Sequence, residues 1–96
     1  MTVSQENALR KAESYLGFQA FSQSGLIKQL EFEGFSTADA TFAVDNVTVD
    51  WTEQAAKKAE NYMEFQAFSR SGLISQLEFE GFTTEQAAHG ADAVGL

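Results

Sequence analysis

The sequence has no cysteine and no proline, a single histidine, and only six lysine or arginine side chains against fourteen acidic ones. Without cysteine there is no disulfide, no thiolate metal site, no cysteine nucleophile and no attachment point for a lipid. One histidine removes most catalytic constellations, which need a base beside a nucleophile or several ligands around a metal. The shortage of positive charge leaves a net charge of −8. That charge repels nucleic-acid phosphates and acidic membranes, since both are bound by neutralising them with Lys and Arg. Apolar runs are a few residues long, far short of the roughly 20 that span a bilayer, and Met1-Thr2-Val3 opens no apolar signal segment. The chain therefore reads as soluble. What it does have is 44% hydrophobic residues within 96, enough to bury a small core. The absence of proline, with alanine, leucine, glutamine, glutamate and lysine abundant, favours helices joined by tight turns.

The chain is a duplication. Setting Ala8 over Ala55 aligns residues 8–47 with 55–94 without a gap, an offset of 47. Phe18 to Ser22, Ser24 to Ile27 and Gln29 to Phe35 recur unchanged as Phe65 to Ser69, Ser71 to Ile74 and Gln76 to Phe82. A repeat of this length is one supersecondary unit copied. Both copies are acidic, with −3 over residues 1–48 and −5 over 49–96.

Each copy is punctuated as three helices. The pattern predicts an all-α, monomeric protein of six helices near residues 5–16, 23–33, 37–47, 51–64, 70–80 and 84–93, arranged as two tandem three-helix repeats, 1–48 and 49–96. Ser4 can cap the first helix, and Asp50 to Glu53, Ser36 to Asp39 and Thr83 to Gln86 have capping-box spacing. At about 100° per residue, Ala8, Leu9, Ala12, Tyr15 and Leu16 share one face, repeated by Ala55, Ala56, Ala59, Tyr62 and Met63. Trp51 lies one turn earlier on that stripe and should anchor the second copy, where the first has Ser4. The second helices stop at Gly34 and Gly81, where glycine accepts the left-handed cap, and Phe35 and Phe82 follow as the apolar residue such caps bury. Ala40, Ala43, Val44 and Val47 make the buried stripe of the third helix. Two short helices around a Gly-Phe-Ser or Gly-Phe-Thr turn form a helix-turn-helix unit.

One feature does not fit a single buried face. Leu26, Ile27 and Leu30 cluster on one side of the second helix, while Phe32 points nearly opposite, between Glu31 and Glu33. Phe79, between Glu78 and Glu80, repeats this. Two readings are open: a helix sandwiched between two layers that buries both faces, or an apolar spot ringed by carboxylates that binds a partner. The second makes Glu31, Phe32, Glu33, Glu78, Phe79 and Glu80 the candidate binding residues.

Other candidate chemistry is structural in kind. His89 can reach Asp92 one turn on but has no nucleophile or ligand set, and its counterpart Phe42 marks an aromatic packing position. The glutamate pairs lie two apart on a helix and so do not form a dyad. Asp45 to Asp50 lacks the glycine and one oxygen ligand of a calcium loop, leaving a linker and helix cap. Asn46-Val47-Thr48 fits a glycosylation triplet by its three residues alone. Arg10/Lys11 and Lys57/Lys58 serve as partners for nearby glutamates. No catalytic residue, metal, cofactor or small-molecule substrate is expected.

The pattern Ala12, Tyr15-Leu16, Phe21-Ser22, Gly25-Leu26, Gln29-Leu30 and Glu33 to Ser36 is followed by Asp50-Trp51. A second copy then reads Phe68-Ser69, Gly72-Leu73, Gln76-Leu77 and Glu80 to Thr83. Over nearly the whole chain it resembles the host cell surface-exposed lipoprotein family, the superinfection-exclusion lipoproteins of temperate phages and their bacterial relatives. The ending Ala93 to Leu96 is similar as well. The resemblance implies tandem helix-turn-helix modules displayed outside the cell on a lipid anchor. It further implies that phage-encoded members block DNA entry by binding the injection machinery, notably the tape-measure protein. The lipid-attachment cysteine, signal peptide and polar linker of the family are absent here, which suggests a chain trimmed to its folded part, and His89 stands where the family usually has tyrosine. The charge and geometry of this chain, not the resemblance, make the expected partner a protein with a basic segment reached through an acidic face; a bacterial surface protein-binding module unrelated to phage is another form of the same class. The competing class is a helix-turn-helix DNA-binding regulator. Its recognition helix needs Arg, Lys, Asn or Gln aimed at bases, and the third helices offer only Asn46 and Gln86.

Overall fold

The computed structural model describes residues 1–96. It contains six helices and no strand: α1 (Val3–Phe18), α2 (Gln23–Phe32), α3 (Thr37–Asn46), α4 (Trp51–Phe65), α5 (Arg70–Phe79) and α6 (Thr84–Ala93). Local chemistry sets most boundaries. Ser36, Asp50, Ser69 and Thr83 each cap the following helix by accepting from backbone N–H groups of its first turn, and Thr83 with Gln86 completes a reciprocal box. The first helix starts earlier than expected. Thr2, not Ser4, is its cap, and Gln5 returns the bond to the Thr2 N–H. Ser4 instead donates to Asp39 Oδ2 at 2.6 Å. At the far ends of α2 and α5, Gly34 and Gly81 take φ of 103° and 107°. The Gly34 N–H then bonds the Glu31 carbonyl and the Phe35 N–H the Leu30 carbonyl, with Gly81 and Phe82 repeating the pair. This six-to-one closure reverses the chain within three residues and needs the left-handed glycine.

The helices form two compact units. The first comprises Met1–Gln19 and Gln23–Val49, and the second Ala20–Ser22 and Asp50–Leu96. In the first unit α3 packs against both α1 and α2. The residues these helices bury are mostly small, Ala8 and Ala12 on α1 and Ala40, Ala43 and Val44 on α3, with Leu26 and Leu30 on α2. Alanine at the crossing lets two helices approach toward the short end of the usual 8–10 Å spacing.

In the second unit α6 packs on α4 and α5 in the same way. Its core is Ala55, Ala59, Leu73, Leu77, Phe82, Ala87 and Ala91, with Tyr62, Met63, Phe68, Ile74, Val94 and Leu96 packed around it. Trp51, expected as a buried anchor, is only half-buried, because as the first residue of α4 its ring sits at the helix end. His89 is exposed, not packed. The buried stripe of α6 is Ala87, Gly90 and Ala91, and His89 lies about 200° around the helix from Ala87. Asp92 is held by the Arg70 guanidinium at 2.6 Å, not by His89.

The second unit also takes in three residues from the α1–α2 connection. The Phe21 N–H donates to Gln54 Oε1 at 3.0 Å and the Ser22 hydroxyl to the Glu80 carbonyl at 2.6 Å. Ala20, Ser22 and Gln54 are buried. The identical stretch of the second copy is used differently: Ala67 and Ser69 are exposed.

Candidate functional site

Phe32 and Phe79 are 85% and 86% exposed. The sandwiched reading of α2 and α5 is therefore overturned. α2 meets α1 and α3, and α5 meets α4 and α6, on the side that carries their buried leucines. The phenylalanines stand in solvent as the last residue of each helix.

The four flanking glutamates are all engaged within their own unit. Glu31 accepts from the Thr37 hydroxyl at 2.5 Å and Glu78 from the Thr84 hydroxyl at 2.7 Å, each tying a helix end to the start of the next helix. Glu33 accepts from the Tyr15 hydroxyl and Glu80 from the Tyr62 hydroxyl. Gln29 and Gln76 donate to those same hydroxyls at 3.2 Å. The sequence reading missed this tyrosine–glutamate–glutamine arrangement. Its signal was present in the identical offset of all three residues, but the helix crossing that joins them is not a property of spacing. Lys11 sits 3.8 Å from Glu33, and its ammonium lies over the Tyr15 ring at 5.7 Å. Lys58 lies over the Tyr62 ring at 5.8 Å. Each carboxylate offers about four acceptor positions, so one or two internal bonds leave its charge and part of its capacity available.

Burial pushes the Tyr62 phenol above the ordinary value of 10.0, helped by its bond to Glu80 and opposed by the bond from Gln76. A raised phenol pKa means the folded state favours the neutral form. Its contribution is thus complete below pH 10.0 and is lost as pH rises through the higher folded value. Denaturation at a series of alkaline pH values should show this decline in the parent and a shallower one in Tyr62→Phe. An identical pH profile for the two proteins would remove Tyr62 from the alkaline response.

Two further exposed phenylalanines went unnoticed in the sequence. Phe18 and Phe65, both 84% exposed, end α1 and α4. They match at the repeat offset, yet lie inside the unchanged Phe-Gln-Ala-Phe-Ser block, where identity conceals that the first aromatic is exposed and the second half-buried. None of the six helices has a basic residue in its last turn. The negative ends of their dipoles are therefore left without a cation of their own on the helix.

The chain matches the family described as host cell surface-exposed lipoprotein over residues 4–47 and again over 50–94. It belongs to that family. Among solved structures it is similar to Ltp, a superinfection exclusion protein from the Streptococcus thermophilus temperate phage TP-J34. The TM-score is 0.88 at 28% identity, over 100% of this chain and 98% of that one. No curated protein sequence matches the chain. The two matched segments fall on the two sets of three helices, so the host cell surface-exposed lipoprotein fold here is all-α and tandem. Family membership places the chain at the outside of the host cell, in a lipid-anchored protein. None of its helices is long and apolar enough to cross a membrane.

Proposed function

We propose that the chain excludes superinfecting phage by binding, holding a basic segment of the incoming injection machinery, the tape-measure protein in particular, through the acidic ends of α2 and α5. The observation that carries this reading is the exposure of Phe32 and Phe79, each between two glutamates and each repeated in its own unit. A net charge of −8 draws a basic segment in from a distance, and a desolvated phenylalanine sets how long it stays. Two weak sites on one chain can engage a long repetitive target together and exceed either alone. The likeness to a phage superinfection exclusion protein supports the same assignment.

Charge and apolar contact separate experimentally. Glu31, Glu33, Glu78 and Glu80 changed together to Gln should mainly slow association and flatten its salt dependence, while Gln still accepts the tyrosine and threonine bonds. Phe32→Ala with Phe79→Ala should mainly speed dissociation. Displayed on a lipid anchor in a susceptible host, the parent should block phage DNA entry, and both variants should protect less. Full protection by both would overturn the proposal.

A further inference from the structure

In each unit the last turns of two helices are drawn together by one tyrosine. Tyr15, in the last turn of α1, bonds Gln29 in the last turn of α2 and Glu33 just beyond it. Tyr62 does the same between α4 and α5 with Gln76 and Glu80. Both helices of each pair end in an exposed phenylalanine, Phe18 with Phe32 and Phe65 with Phe79. Apart from Met1 and Val3 at the start of the chain, these are the exposed large apolar residues. Scattered surface phenylalanines need no explanation. The same two positions occupied in both units are not scattered.

The chemistry around the rings selects among occupants. Glu31, Glu33, Glu64, Glu78 and Glu80 are sequence neighbours of three of the four rings. A purely apolar partner or a second copy of this acidic chain would have to strip water from those carboxylates with nothing to replace it. A cation would be attracted both by the carboxylates and by the negative face of the ring. The protein already makes this contact internally: Lys11 lies over the Tyr15 ring beside Glu33.

We propose that each unit grips arginine side chains of its partner by stacking them on its pair of exposed rings, Phe18 with Phe32 in the first and Phe65 with Phe79 in the second. The planar guanidinium is more weakly hydrated than an ammonium and stacks on aromatic faces while its edge bonds a carboxylate, so arginine is preferred to lysine at equal charge. The inference rests on the basic-segment reading above and adds to it the residue type recognised and two further phenylalanines.

The test uses the full chain and two synthetic peptides of equal length and charge, one alternating arginine with serine and the other lysine with serine, titrated by fluorescence polarisation. The arginine peptide should bind more tightly, by at most roughly two- to fivefold for each ring contact made, since a lysine ammonium keeps part of the same attraction. The fourfold variant Phe18→Leu, Phe32→Leu, Phe65→Leu, Phe79→Leu should lose that preference at an unchanged melting temperature, because leucine keeps the apolar volume and lacks the ring face. Equal affinity for the two peptides, or a preference that survives in the leucine variant, overturns the stacking and leaves charge attraction standing. Binding of neither peptide at low salt overturns the basic-segment reading and this inference together.

Discussion

Leu77→Ala should destabilise the protein by about 2–5 kcal/mol, toward the upper end of that range. Leu77 is fully buried among Ala55, Ala59, Leu73, Phe82, Ala87 and Ala91. Four of those six neighbours are alanines, which have no torsion to swing into a cavity. The backbones cannot close over the gap either, since helices that meet through alanine are already near contact distance. A unit this small holds a stability of only a few kcal/mol, so most of it would go. Urea denaturation should show the second unit melting far below the parent. Phe79→Ala, two residues further along the same helix and 86% exposed, should leave the midpoint nearly unmoved. A Leu77→Ala midpoint close to the parent's would mean that α5 does not supply the core as described.

Gly90→Ala should also destabilise, by about 1–3 kcal/mol, although alanine is the better helix former by about 1 kcal/mol. A Cβ on Gly90 would stand 2.9 Å from Leu77 Cδ1, 3.0 Å from the Ala55 carbonyl oxygen and 3.3 Å from its carbon. Leu77 is held on all sides and Ala55 presents backbone, so relief requires α6 to move off α4. The matching residue of the first copy is Ala43, fully buried, and the counterparts of Ala55 and Leu77 there are Ala8 and Leu30, identical in type. The same side chain is therefore accommodated in one unit and refused in the other. At roughly 4–8 °C per kcal/mol for a domain of this size, the loss should be plain in a thermal melt. A Gly90→Ala protein that melts higher than the parent would show that helix propensity outweighs the clash.

These two sites mark how far the sequence could be read. Helix limits were legible because they rest on chemistry within four residues: Ser36, Asp50, Ser69 and Thr83 satisfy N–H groups next to them, and Gly34 and Gly81 take a conformation other residues avoid. The alanine and leucine stripes were legible as periodicity. Whether Phe32 was covered was not, since an angle around a helix says which way a side chain points and not whether another layer waits there. The tie between Tyr15, Gln29 and Glu33 needs the crossing of α1 and α2, which no local pattern encodes. Trp51 fell on the right stripe, but its position at the helix end left it half covered. Ala43 and Gly90 look equivalent as small residues, yet the 3.0 Å that would separate a methyl on Gly90 from the Ala55 carbonyl oxygen is set by the crossing of α4 and α6, which spacing does not encode.

The place of Ala20–Ser22 in the second unit bears on how such a protein can change by recombination. A duplicated gene is ordinarily a string of interchangeable parts, to which a copy can be added or removed at the seam. Here a cut at the seam before Asp50 would leave the Gln54 amide and the Glu80 carbonyl without the donors that Phe21 and Ser22 now supply. The shortest stretch that carries every residue of the second unit begins at Ala20, and it brings α2 and α3 with it. The two copies have thus stopped being spare parts for one another. Unequal crossing-over that deletes the first copy should be selected against even where the second copy's own helices are intact. Two copies, once joined in this way, are not easily reduced to one by drift alone.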